Sequence, residues 1–183
     1  VINHPKWKMG YKNSIDSATL ANKCLELIEA MYLFQLSIDN LDIVIHPEAL
    51  IHSIIEYNNS TSILNYFYND MSIPILNFMK FITNKNFVEI DKFKFKKNLN
   101  LNFIDVDKNK FPIYELFKNI DYRLPQQIIK FNAANQFAVE LYKKNMIKYI
   151  QMPKIIEKSI SYELKASINS IGSIIKYEKE FNK

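Results

Sequence analysis

The sequence predicts an α+β chain: a small mixed sheet with a long helix, followed by a linker and a C-terminal helical bundle. Three observations predict it. Apolar residues recur at helical spacing from Leu20 to Leu33 and again beyond Phe111. Short β-branched runs lie between Leu41 and Tyr68. Between them and the later helices, Thr83 to Lys110 is polar, lysine-rich and only weakly periodic.

Taken in order, an Asp or Ser at Asp16 or Ser17 can cap a helix whose apolar positions Leu20, Cys24, Leu27, Ile28, Met31 and Leu33 carry it to about Phe34. Leu41 to Ile45 (LDIVI) reads as a short strand. Ile51 to Tyr57 and Ser62 to Tyr68 read as two more, flanking a polar turn at Asn58, Asn59, Ser60 and Thr61. Pro74 stands just ahead of a helix expected over Ile75 to Ile82. Residues 83–110 read as a linker with some extended structure. Helices are then expected over Phe111 to Ile120, Pro125 to Tyr142, Met152 to Ser161 and Leu164 to Phe181. The expected division is 1–82 as one partial domain, 83–110 as linker and 111–183 as the bundle.

A chain of 183 residues can bury roughly 70% of its unfolded surface, enough for its own core. No run approaches the ~18 apolar residues of a membrane span, so a soluble protein without a membrane partner is expected. The single Cys24 cannot form an internal disulfide, which agrees with a reducing compartment, and the cytoplasm is the default. A motif-dense segment begins at His4 with no basic, apolar leader before it, so a truncated chain is expected.

The net charge of +5 raises a nucleic-acid surface as one explanation. Arg123 is the only arginine among 24 basic residues, whereas bidentate phosphate and guanine contacts favour arginine. Drift in coding composition explains the lysines better, and no nucleic-acid partner is expected. The only glycines are Gly10 and Gly172, so a glycine-rich turn for a dinucleotide cannot be built here, and any nucleotide domain lies elsewhere.

Chemistry concentrates between His4 and Glu26, where His4, Lys12, Ser14, Asp16, Ser17, Thr19, Asn22, Lys23 and Glu26 are too many and too varied for an ordinary core element. Ser17 and Thr19 fall at the start of the expected helix, where free N–H groups and the helix dipole favour an anion such as phosphate. Asn22 and Lys23 stand four and three residues before Glu26, on one helix face. A carboxylate beside a phosphate repels it unless a cation lies between, which points to Glu26 as one ligand of a divalent metal. The same spacing also fits a solvated Lys23–Glu26 ion pair with Ser17 as a simple cap, and spacing alone leaves both readings open. His46 and His52, six apart across a strand end, read as structural histidines, and Asn132 and Asn135 as helix-terminal or inter-helix hydrogen-bonding groups.

The full string favours the first reading. HP-x-W-x-MG, SIDSAT and NK-x-LE, running from His4 to Glu26, resemble the signature of the 1-deoxy-D-xylulose 5-phosphate reductoisomerase family. The resemblance continues through IVIHPEALIHS (Ile43 to Ser53), Asp70, Met71 and Pro74, and FNAANQFAVELY (Phe131 to Tyr142). It implies the C-terminal part of an NADPH-dependent oxidoreductase and isomerase of non-mevalonate isoprenoid synthesis, with the N-terminal NADPH-binding Rossmann domain absent. The full enzyme converts 1-deoxy-D-xylulose 5-phosphate to 2-C-methyl-D-erythritol 4-phosphate on Mn²⁺, Mg²⁺ or Co²⁺.

By the same resemblance His4, Lys23 and Glu26 are catalytic, and His4, Trp7, Ser17, Asn22, Lys23 and Glu26 bind substrate. Gly10 and Met71 approach NADPH, Met9 lies near the same lid, Glu26 ligates the metal, and His4 to Gly10 form a lid loop. A homodimer is implied, in the cytoplasm or in a plastid-type organelle lumen if the source is eukaryotic. The fragment alone is expected to be inactive. Cys24 in place of the family's usual glycine, Asn69 in place of proline and a hairpin turn without glycine depart from the pattern. They keep open a second reading, a non-catalytic sugar-phosphate-binding or scaffold remnant.

Overall fold

The computed structural model describes residues 10–85, 99–162, 168 and 170–181. His4, Trp7 and Met9 therefore lie outside the described residues, as do most of the expected lid loop and linker residues 86–98. The chain divides into two compact units, one of residues 1–43 with 106–183 and one of residues 44–105. These boundaries differ from the expected breaks at 82 and 110, because the first helices pack with the C-terminal helices. At the coarse level the chain is mixed α and β, as expected.

The first unit is helical. Helix α1 spans Tyr11–Ala18 and α2 spans Ala21–Phe34, where a single helix from Asp16 was expected. The break is at Leu20, whose φ of 62° is left-handed, a conformation that costs an L-residue roughly 1–2 kcal/mol. Buried Thr19 supports the break: its hydroxyl donates to the Asp16 carbonyl at 3.3 Å and accepts from the Ala21 N–H at 3.3 Å. Neither residue is glycine or proline, so no local signal announces the corner. Asp16 and Ser17 consequently lie in the last turn of α1 rather than capping a helix.

Helices α4 (Pro112–Lys118), α5 (Pro125–Lys143), α6 (Met152–Ile160) and α7 (Ile171–Phe181) complete this unit. Proline at the first positions of α4, α5 and α6 costs no intrahelical hydrogen bond there. The small residues Ala133, Ala134 and Ala138 of α5 are buried, giving it a flat face for its packing on α6. The core gathers Ile15, Cys24, Ile28, Ile113, Phe117, Phe131, Met152 and Ile156. Phe117 meets Phe131 and Tyr122 edge to face, each pair with centroids 5.2 Å apart. The Tyr114 hydroxyl donates to Asp42 at 3.3 Å, and burial together with that carboxylate pushes its pKa up to about 12.

In the second unit β2 (Ile51–Glu56) and β3 (Ser62–Tyr66) form an antiparallel hairpin, pairing Ile54 with Leu64 and Ile55 with Ile63. Asn59 organises its turn, accepting from both the N–H and the hydroxyl of Thr61, while Ser60 takes the left-handed φ of 63°. Strand β1 (Val44–Ile45) pairs antiparallel with β4 (Ile104–Asp105). The expected single mixed sheet is thus replaced, among the described residues, by two separate two-stranded antiparallel ladders. For β2 and β3 the short turn between them can only return the chain antiparallel. Helix α3 (Ser72–Thr83) starts three residues earlier than expected, with the Asp70 carboxylate accepting from the Ser72 N–H at 2.9 Å.

Candidate functional site

The corner between α1 and α2 sets the geometry of the candidate site. Ser17 lies half-buried just before it, and Asn22 and Lys23 occupy the first turn of α2 just after it. The Cys24 N–H begins the α2 ladder by bonding to the Leu20 carbonyl at 3.0 Å. Ahead of it the Leu20 N–H donates to the Ser17 carbonyl and the Ala21 N–H to the Thr19 hydroxyl, which leaves the Asn22 and Lys23 N–H groups as the open donors at the positive end of the helix dipole. The anion-favouring helix start that sequence assigned to Ser17 and Thr19 is therefore the α2 start at Ala21.

The predicted side chains do converge. Asn22 Nδ2 donates to Glu26 Oε1 at 2.6 Å, and Lys23 Nζ donates to Glu26 Oε2 at 2.6 Å. Both ends of the Lys23–Glu26 pair are substantially exposed, at 49% and 43% of the side chain, so an incoming ligand can reach and rearrange them. An amide, an ammonium and a carboxylate on one exposed face can grip a phosphate and offer one hard oxygen to Mg²⁺ or Mn²⁺.

Among the described residues no group of three His, Cys, Asp or Glu side chains is placed to hold a metal ion. Glu26 fits as one ligand, and any others come from elsewhere. Gly10 is exposed at the start of α1, where an added Cβ would meet nothing within 4 Å, and Met71 is 52% exposed in the other unit. These two residues alone do not compose a dinucleotide cradle.

His46 and His52 each pack against an aromatic ring and a backbone carbonyl, the surroundings of structural histidines. His46 Nδ1 lies 2.8 Å from the Asn102 carbonyl and 3.0 Å from Glu48 Oε2, with its ring stacked on Phe103. His52 Nδ1 lies 3.0 Å from the Leu50 carbonyl, and its ring stacks on Phe67 at 3.7 Å. Asn102 donates to Glu48 from its side chain and its backbone, which holds that carboxyl below the usual range.

One part of the site escaped sequence reasoning. Asp16 is 1% exposed; it is paired with Lys12 one turn back and accepts from Asn135 Nδ2 of α5 at 2.9 Å. The Tyr149 hydroxyl donates to the Ala18 carbonyl at 3.1 Å. Sequence reads Asn135 as a helix-terminal or inter-helix hydrogen-bonding group, and the fold makes it the second, with a partner that spacing does not name.

Comparisons with known proteins bear on the family of the chain. Residues 68–183 match the family model of the DXP reductoisomerase C-terminal domain, and residues 1–34 match that of the 1-deoxy-D-xylulose 5-phosphate reductoisomerase C-terminal domain. A 1-deoxy-D-xylulose 5-phosphate reductoisomerase of Prochlorococcus marinus is 39% identical over 155 residues, covering 85% of this chain and 37% of that protein. One from Clostridium tetani is 36% identical over 191 residues, covering 97% and 46%.

Among solved structures, the enzyme of Zymomonas mobilis in complex with NADPH superposes with a TM-score of 0.79 at 31% identity, over 93% of this chain and 45% of that one. A DOX-P reductoisomerase in complex with NADPH, fosmidomycin and magnesium gives 0.81 at 29% identity, over 99% and 46%. The chain spans less than half the length of each of these relatives. It belongs to the 1-deoxy-D-xylulose 5-phosphate reductoisomerase family and corresponds to the C-terminal part of that enzyme.

Proposed function

We propose that this chain supplies the phosphate grip and one metal carboxylate of an NADPH-dependent enzyme that converts 1-deoxy-D-xylulose 5-phosphate to 2-C-methyl-D-erythritol 4-phosphate. The observation that carries the reading is the convergence of Asn22 and Lys23 on Glu26 in the first turns of α2. Ser17 stands across the corner from them. The relatives' NADPH, fosmidomycin and magnesium complexes support the cofactor and metal of this reading.

In this reading Ser17, Asn22 and Lys23 hold the substrate phosphate, and that remote binding energy orients the reacting carbons. Lys23 exchanges its Glu26 partner for the phosphate, which frees the carboxylate. Glu26 then serves as a ligand of Mn²⁺, Mg²⁺ or Co²⁺, which when bound polarises the substrate oxygens. His4 and Trp7 belong to the lid that excludes water, and Gly10 and Met71 to the side facing NADPH. The complete enzyme is a cytoplasmic homodimer, and this fragment alone is inactive because the nucleotide-binding part is not among its residues. Among the described residues no helix is long and apolar enough to cross a membrane.

The test is NADPH oxidation by the full-length enzyme with Mn²⁺. Lys23→Ala is expected to raise KM for the substrate by about ten- to a hundredfold, the worth of a charge-assisted hydrogen bond of roughly 1.5–3 kcal/mol. Glu26→Gln is expected to weaken Mn²⁺ activation by a similar factor. Normal kinetics in both variants would refute the assignment. Fosmidomycin binding without any NADPH oxidation by the wild-type enzyme would replace it with the non-catalytic remnant, the reading that the departure at Cys24 keeps in view.

A further inference from the structure

The corner that carries Ser17 is fastened at two points from the rest of the helical unit. On its N-terminal side the Asp16 carboxylate, 1% exposed, is held by Lys12 and by Asn135 of α5. On its C-terminal side the Ala18 carbonyl, one of the orphan acceptors at the end of α1, accepts from the Tyr149 hydroxyl. Ser17 lies between these two ties, and the left-handed Leu20 that launches α2 follows directly.

Stability alone accounts poorly for this arrangement. Burying a carboxylate is costly even when it is paired, and an apolar replacement of such a pair is often as stable or more so. Asn135 is 0% exposed, and its Oδ1 finds no hydrogen-bond partner among the described residues, a loss of roughly 1–3 kcal/mol. What the clamp does provide is position. It fixes the residue on either side of Ser17 against α5 and the turn at Tyr149–Gln151. Both are elements that touch neither Asn22 nor Lys23 through any hydrogen bond described above.

We propose that Asn135 and Tyr149 are positioning residues for phosphate binding, acting through Asp16 and Ala18 to hold Ser17 and the start of α2 in register. The proposal rests on the reading of Ser17, Asn22 and Lys23 as the phosphate grip. Neither residue touches substrate. Their effect is to keep the donors preorganised, so that binding does not have to order the corner.

The experiment uses the full-length enzyme. Asn135→Ala, Tyr149→Phe and the reciprocal swap Asp16→Asn with Asn135→Asp are compared with Ser17→Ala and Lys23→Ala. Steady-state kinetics, calorimetric affinity for fosmidomycin and for NADPH, and thermal midpoints are measured for each. Asn135→Ala is expected to raise KM and the fosmidomycin Kd about tenfold, equivalent to ~1.4 kcal/mol, with kcat within about threefold and NADPH affinity unchanged. Tyr149→Phe is expected to move them in the same direction by a smaller factor, and the swap to recover part of the loss, because it restores one amide facing one carboxylate while Lys12 loses its carboxylate partner.

A fall in thermal midpoint with KM and fosmidomycin Kd unchanged in Asn135→Ala and Tyr149→Phe overturns the proposal, leaving the clamp purely structural. If Asn135→Ala does not fold, Tyr149→Phe decides. It removes one hydroxyl and leaves the ring on its edge-to-face partner Tyr142, 6.1 Å away. Unchanged KM in Ser17→Ala and Lys23→Ala as well brings down the phosphate reading and this proposal with it. A raised KM in those two variants alone brings down the positioning role by itself.

Discussion

The two compact units place their apolar residues in opposite ways. In the unit of residues 1–43 and 106–183, Phe117, Phe131, Met152 and Ile156 are fully buried, and its buried charged side chains Asp16 and Lys130 are hydrogen-bonded. In the unit of residues 44–105 no described residue is buried. Phe81 is 86% exposed, Phe78 62%, and the cross-strand pair Ile55 and Ile63 are 51% and 55% exposed. Because Ile54 and Leu64 on the other face of the hairpin are also exposed, neither face of that ladder is covered among the described residues. An isolated two-stranded hairpin is marginal in water. The first unit thus carries the means of its own stability, whereas the second depends on surroundings beyond the described residues. The candidate phosphate grip is rooted in the first.

A core truncation breaks this comparison most sharply. Phe131→Ala in the 183-residue chain is expected to lower the free energy of unfolding by about 3–5 kcal/mol through lost burial and the cavity left behind. Phe81→Ala is expected to change it by less than about 0.5 kcal/mol, as for other exposed positions. Urea denaturation followed by far-UV circular dichroism measures both. Equal effects would mean that the exposure of α3 does not represent the chain in solution.

A second test asks what covers the dependent unit. Amide hydrogen exchange in the 183-residue chain is expected to be fast in β2, β3 and α3 and slow in α5 and α6, since local opening follows local burial. In the full-length enzyme the hairpin and α3 should become protected, by at least about tenfold if partner surface covers them, while α5 and α6 change little. Protection of the hairpin already present in the shorter chain would erase the distinction between the units.

The same contrast explains how much could be read from sequence. Helices α5 and α6 were legible because local signals agree with tertiary demand: proline at the first positions, then apolar residues that face one core. The hairpin was legible from the polar turn at Asn58 to Thr61 between β-branched runs. The corner at Leu20 was not, because its left-handed backbone carries no glycine or proline to announce it, and the Thr19 hydroxyl bonds that span it show only in the folded chain. Nor was the pairing of Val44 and Ile45 with Ile104 and Asp105, since two residues of strand carry too little pattern to name a distant partner.

In the candidate site the divide is again local against distant. Asn22, Lys23 and Glu26 meet within one turn of helix, so their spacing announced them. Asp16 and Asn135 lie 119 positions apart, and only the folded chain brings an amide of α5 to a carboxylate of α1. Sequence therefore showed the proposed ligand donors, which are local, and not the Asp16–Asn135 contact, which is distant.

A last test comes from the one thiol, which reports the interior of the self-sufficient unit. Cys24 is 0% exposed, and burial pushes its pKa from 9.0 up to about 12. Below pH 9 the thiol is neutral in both folded and unfolded chains and contributes no pH dependence. Between pH 9 and about 12 the unfolded chain loses this proton while the folded chain keeps it, so the unfolded state binds fewer protons and stability falls as pH rises. The thiolate is the reactive species, so native Cys24 should be alkylated by iodoacetamide at pH 8 at least about a hundredfold more slowly than in urea, as peptide mapping would measure. Rapid alkylation without denaturant would show that the α1–α2 corner opens readily. It would also remove the rigidity on which the contrast between the two units depends.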